Sequence, residues 1–123
     1  MVINKMEQGE EMTKRQWGYY KVLYENSNEV KVKELVVLPG KKLSMQKHFK
    51  RAEHWFIVEG VATVYTVSKD TELYEKRGIY KKHESLHIDL EQWHQLVNEQ
   101  DINLKIVEIQ YGTNCIEEDI IRK

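Results

Sequence analysis

The stretch Gln46-Lys47-His48-Phe49-Lys50-Arg51-Ala52-Glu53-His54-Trp55 decides how this chain is read. Gly40 precedes it, Gly60 follows it, and a later His94 with Asn98 completes it. Gln46 and His48 stand two apart, so on an extended strand both face the same side. Glu53 lies five residues beyond His48, the wrong parity for one continuous strand. The residues Phe49-Lys50-Arg51-Ala52 must therefore turn the chain, so that Glu53 opens the next strand and points back inward. Trp55 and Ile57 then share its face. His94 arrives on a further strand as the fourth ligand. Gln46, His48, Glu53 and His94 together suit one divalent metal, zinc first, with iron, manganese, cobalt and nickel also compatible.

The flanking sequence reads as strands. Tyr19–Tyr24, Val30–Leu38, Glu53–Val58, Ala62–Val67, Glu72–Tyr74, Ser85–Leu90 and Leu104–Tyr111 are rich in β-branched and aromatic residues. Val30 and Val32 alternate with Lys31 and Lys33, the period of a half-buried sheet. Asn26-Ser27-Asn28, Pro39-Gly40 and Glu59-Gly60 punctuate them as turns. Thr13–Trp17 reads as a single helical turn, and no longer window carries helical periodicity. Regular strand spacing with turn signals predicts an all-β sandwich or barrel.

With 123 residues, one domain is expected: a flexible extension over 1–13, then a folded domain over 14–123. Nineteen basic residues against twenty acidic ones leave a net charge of −1, which argues against a nucleic-acid partner. Cys115 is the single cysteine, so no disulfide forms within the chain and a cytoplasmic location is expected. No apolar run is long enough to span a bilayer, so no membrane partner is expected. His83 and His87 lie in a polar stretch without a matching partner and read as surface residues.

At the opening stretch the sequence resembles the cupin superfamily. Gly40, His48, Glu53 and Gly60 fall in register with its first motif, and Gln46 stands where most members carry a histidine. A Gln–His–Glu–His ligand set is associated with phosphomannose isomerases. Arg15-Gln16-Trp17-Gly18-Tyr19-Tyr20 resembles the Arg-Pro-Trp-Gly opening of the type II phosphomannose isomerase cupin, often fused to mannose-1-phosphate guanylyltransferase. Leu43-Ser44, Arg51-Ala52-Glu53-His54-Trp55 and the close Glu118-Asp119-Ile120-Ile121-Arg122 continue the likeness, which covers about 14–123. A stand-alone cupin, without the guanylyltransferase domain, is the reading. The chain departs from the pattern at Phe49 and Lys50, where histidines are common, and at Gln16, where the family has proline. In the second motif only His94 and Asn98 remain. Glu91 stands there in place of glycine, and an altered backbone is expected because glutamate resists a left-handed turn.

The resemblance implies a jelly-roll barrel, a homodimer, and interconversion of mannose 6-phosphate and fructose 6-phosphate. That chemistry moves a proton between adjacent carbons while a divalent metal polarises the carbonyl. The acid/base group stays open among Lys33, His54 and Glu108, with Tyr19 and Glu118 further off. Arg15, Arg51, Arg122 and Tyr19 are the candidates for holding the substrate and its phosphate. Two other functions fit the same residues: a non-haem metal oxygenase acting on a small organic substrate, and a sugar-binding cupin without turnover.

Overall fold

The computed structural model describes residues 11–123. Eleven strands and no helix occur among them: β1 (Thr13–Arg15), β2 (Gly18–Asn26), β3 (Val30–Val37), β4 (Gln46–Lys47), β5 (Arg51–Glu59), β6 (Ala62–Val67), β7 (Tyr74–Tyr80), β8 (Ser85–Ile88), β9 (Gln95–Val97), β10 (Leu104–Gly112) and β11 (Ile121–Arg122). Every pairing is antiparallel. A six-stranded sheet runs β1-β2-β3-β10-β5-β8, a three-stranded sheet runs β7-β6-β9, and β11 pairs with β4. The all-β expectation holds. Most of the extension expected over 1–13 lies outside the described residues, and Thr13 already belongs to β1.

Three elements differ from expectation. The helical turn at Thr13–Trp17 is instead β1, held by pairing with β2. The segment read as a strand at Glu72–Tyr74 begins its strand only at Tyr74 and runs on to Tyr80. Its charged centre, Glu75-Lys76-Arg77, hid it, because β7 is an edge strand whose exposed side chains need not be apolar. The strand expected to carry His94 is β9, which begins one residue later, at Gln95; its bounds were not visible because three residues carry too little pattern, although all three are buried.

Inward positions meet in rungs across the large sheet. Leu35, Ile106 and Ile57 lie side by side on β3, β10 and β5. One step along come Lys33, Glu108, Trp55 and Leu86, and then Lys31, Gln110, Glu53 and Ile88. The interior is thus graded. At one end Leu35, Val37, Ile57, Val64, Leu96, Leu104 and Ile106 form the core. At the other, buried Lys31, Lys33, Arg51, Glu53, Glu108 and Gln110 replace it. The alternation along β3 is as read, but Lys31 and Lys33 are the buried set and Val30 and Val32 are only partly covered. Buried polar groups must find partners. Gly60 shows why the chain turns where it does: its φ is +88°, and a Cβ there would stand 2.6 Å from the Asn103 carbonyl oxygen.

Candidate metal centre and its cavity

His48 leaves β4, Phe49 and Lys50 make the bend, and β5 begins at Arg51, so the turn is two residues shorter than expected. Glu53 faces inward on β5 as the parity argument requires. His94 sits just before β9, tied by its backbone to Gln46: the Gln46 amide donates to the His94 carbonyl at 3.0 Å, and the His94 amide donates back at 2.9 Å. His48, Glu53 and His94 are all buried and offer ligand atoms within 4.8 Å of one another.

Each imidazole has its orientation set by a backbone carbonyl. His48 Nδ1 lies 2.6 Å from the Asp119 oxygen and His94 Nδ1 lies 2.9 Å from the Gln92 oxygen. A carbonyl only accepts, so Nδ1 carries the proton in both rings and Nε2 presents a lone pair. Burial pushes the pKa of His48 down to about 4, helped by the Arg51 charge, and burial does the same to His94. Both rings are therefore neutral at ordinary pH. Their Nε2 atoms face Glu53, at 3.3 Å from Oε2 for His48 and 3.8 Å from Oε1 for His94. Lone pairs converging on a carboxylate call for a cation among them. A divalent metal fits that demand, and ring nitrogens fixed by carbonyls are the usual support for a metal-bound histidine.

Arg51 meets the demand in part. Its Nε donates to Glu53 Oε2 at 3.0 Å, and its terminal nitrogen donates to His48 Nε2 at 3.1 Å. The other carboxylate oxygen accepts from Trp55 Nε1 at 2.9 Å. Gln46 lines the same small hollow, about 20 Å³, as Glu53, Trp55 and His94, and its amide nitrogen lies 3.3 Å from the Ser44 carbonyl. The structure thus brings all four expected ligand residues together. The backbone at Glu91 is a correction. Its φ of +59° is left-handed despite the side chain, and its amide donates to the His48 carbonyl at 2.7 Å. The surrounding turn imposes the conformation at a cost of roughly 1–2 kcal/mol.

Beside the centre opens a cavity of about 410 Å³. Arg15, Lys33, Arg51, Glu108 and Arg122 of the expected residues line it. Three expected residues, Tyr19, His54 and Glu118, do not. Tyr19 has the opposite parity to Tyr20, and Tyr20 is the one that reaches the cavity, its ring 4.2 Å below Lys33 Nζ. His54 lies on the far face of β5, opposite His87 of β8 and 6.5 Å from its ring, so the cavity is closed to it. Gly18-Tyr20 alternation into the core could have identified Tyr20. Lys42, Ser44, Gln110 and Glu117 also line the cavity, and no local pattern marked them. Glu108 is buried there; burial first, and then the Glu53 charge, raise its pKa to about 8.

A profile described as mannose-6-phosphate isomerase C-terminal matches residues 4–123. The chain belongs to this family. It is 41% identical over 108 residues to a mannose-1-phosphate guanylyltransferase of Sinorhizobium fredii, covering 88% of this chain and 20% of that one. The alginate biosynthesis protein AlgA of Pseudomonas aeruginosa is 37% identical over the same share of this chain. The cupin domain thus spans about one fifth of the length of these relatives. The capsular polysaccharide assembling protein CapF of Staphylococcus aureus superposes with a TM-score of 0.78 at 14% identity, over 92% of this chain and 34% of its own. A Klebsiella pneumoniae protein with a double-stranded β-helix domain superposes at 0.74 and 14% identity, over 99% and 96%. At such identities these structures bear on the fold alone: this is a cupin, a double-stranded β-helix. No helix among the described residues is long and apolar enough to cross a membrane.

Proposed function

We propose that this cupin domain is a metal-dependent aldose–ketose isomerase interconverting mannose 6-phosphate and fructose 6-phosphate. The observation that carries the reading is a buried His48–Glu53–His94 ligand group beside a cation-lined cavity of about 410 Å³. Nε2 of His48 and His94 and the Glu53 carboxylate would hold a divalent ion, with Gln46 beside them. Such an ion supplies Lewis-acid polarisation of the sugar carbonyl and its neighbouring oxygen. Glu108 is the group we assign to proton movement between C2 and C1. With a pKa near 8 it gains and loses a proton cheaply close to neutral pH. Arg15, Lys42 and Arg122 on the cavity wall offer further donors to the oxygens of a phosphosugar. Trp17, Tyr20 and Leu43 pack against the core and form the wall that limits water.

The test is turnover. Zinc-, manganese- and iron-loaded protein is incubated with mannose 6-phosphate and assayed for fructose 6-phosphate. Conversion is expected, lost in His48→Ala and lowered by about 10²–10⁴ in Glu108→Gln. Unchanged sugar with every metal overturns the reading. The Arg51 contact with two ligand atoms favours one second reading, a sugar-binding cupin without turnover. Tight binding of mannose 6-phosphate with no product over hours distinguishes it.

A further inference from the structure

We propose that Lys31 and Lys33 form an anion subsite for a phosphate monoester, and that the Glu117 carboxylate occupies it as a displaceable internal anion. The choice of phosphate monoester rests on the phosphosugar reading; the lysine pair and its resident carboxylate stand without it. Lys31 and Lys33 are successive inward positions on β3. Buried ammonium groups are costly unless paired. One oxygen, Glu117 Oε2, serves both: it accepts from Lys33 Nζ at 2.7 Å and lies 3.5 Å from Lys31 Nζ. Glu25 lies 3.7 Å from Lys31 on its outer side, and the Tyr20 ring covers Lys33.

The asymmetry of this contact is the argument. The lysine side chains are 11% and 7% exposed, whereas that of Glu117 is 53% exposed. The cations belong to the barrel wall. The anion is half in water and stands in a turn outside the strands, where the Asp119 amide donates to the Ile116 carbonyl at 3.2 Å. Glu117 itself therefore loses little by moving into water, provided another anion takes its place on the lysines, while removing either lysine would break the wall. The cavity that Lys33 and Glu117 line presents five cationic side chains, Arg15, Lys33, Lys42, Arg51 and Arg122, against the carboxylates Glu108 and Glu117. A phosphoryl group brings three strong acceptor oxygens to the position one carboxylate oxygen now serves. An internal anion lowers the apparent affinity by the fraction of time it occupies the subsite.

The experiment is calorimetric titration of inorganic phosphate, mannose 6-phosphate and mannose into the full chain as purified, and into Glu117→Gln and Lys33→Met. Glu117→Gln is expected to bind phosphate and mannose 6-phosphate about tenfold more tightly. Lys33→Met is expected to lose both, and mannose to respond to neither change. If mannose 6-phosphate tightens while inorganic phosphate does not, the group recognised is the sugar and the proposal is overturned. It is equally overturned if Glu117→Gln binds phosphate no more tightly, if Lys33→Met keeps its phosphate affinity, or if no chain binds phosphate. Should a variant fail to fold, amide spectra of the unaltered chain decide. Phosphate must shift the Glu117 and Glu118 signals, and fixed signals at saturation overturn the proposal. Turnover is not read here, so phosphate binding as expected with no isomerisation retains the subsite and removes only the isomerase.

Discussion

Between His48 and Glu53 the decisive group is Arg51. The guanidinium lies on both ligand atoms, 3.1 Å from one and 3.0 Å from the other. Because His48 Nδ1 is committed to Asp119, a metal must use the same Nε2, and Arg51 must release it. Arg51→Met then has two opposed effects. Without metal it leaves the buried Glu53 carboxylate uncompensated, expected to cost about 3–5 kcal/mol. With metal it removes a competitor. Thermal unfolding in chelator and in excess zinc is expected to show a lower starting melting temperature and a larger zinc-induced rise than in the parent. An equal or smaller rise contradicts the competition. At this scale the convergence of His48, Glu53 and His94 was legible because parity and spacing sort inward from outward positions. Arg51's contact was not, since sequence does not say which of three neighbouring cations, Lys47, Lys50 or Arg51, folds back. Glu91 was misjudged for a related reason: its strain is local, but the hydrogen bond to His48 that holds it joins residues far apart in sequence.

Among the elements, the short pair β4–β11 brings the carboxyl-terminal segment onto the ligand bend. The Asp119 carbonyl fixes His48, and its carboxylate accepts from the Phe49 and Lys50 amides at 3.0 and 2.9 Å. Those two amides are the bend itself. Asp119→Ala keeps the carbonyl and removes the carboxylate, so a loss of about 1–3 kcal/mol is expected in denaturant unfolding. Zinc affinity, measured by chelator competition, should weaken roughly 10–100-fold as His48 loses its support. Wild-type values for both would show that the bend holds itself. Longer strands were readable from their apolar composition. The two-residue β11 was not, because its existence depends on pairing with β4 across the fold rather than on local preference.

For the molecule as a whole, three buried groups set the response to pH. His48 and His94, with pKa near 4 in the fold and 6.5 outside it, contribute stability above pH 6.5 that is lost as pH falls towards 4. Glu108, raised from 4.5 to about 8, contributes stability below pH 4.5 that is lost as pH rises to 8. Two histidines outweigh one glutamate between pH 4.5 and 6.5, and only Glu108 acts between 6.5 and 8. From these three groups, metal-free protein should be most stable near pH 6.5, falling with about equal slope on either side and more steeply only below pH 4.5, where Glu108 no longer offsets the histidines. Calorimetric melting from pH 4 to 9 checks this, and a flat acid limb contradicts neutral buried histidines. Barrel architecture was legible in strand spacing and in the family likeness. The graded interior was less so: β3 alternates as read, yet Lys31 and Lys33 face inward because that end of the barrel is a polar cavity.

The backbone bonds around the ligands have a dynamic consequence. Leu43 donates to Leu96, Gln46 and His94 exchange two bonds, and Glu91 donates to His48. The segments bearing three of the four expected ligands are therefore zipped together and should open as one cooperative unit. Amide hydrogen exchange of Leu43, Gln46, Glu91 and His94 should share a single opening free energy and slow together when zinc is added. Divergent rates among the four would mean that the centre can lose one ligand at a time; a shared rate means that metal leaves only when both segments part.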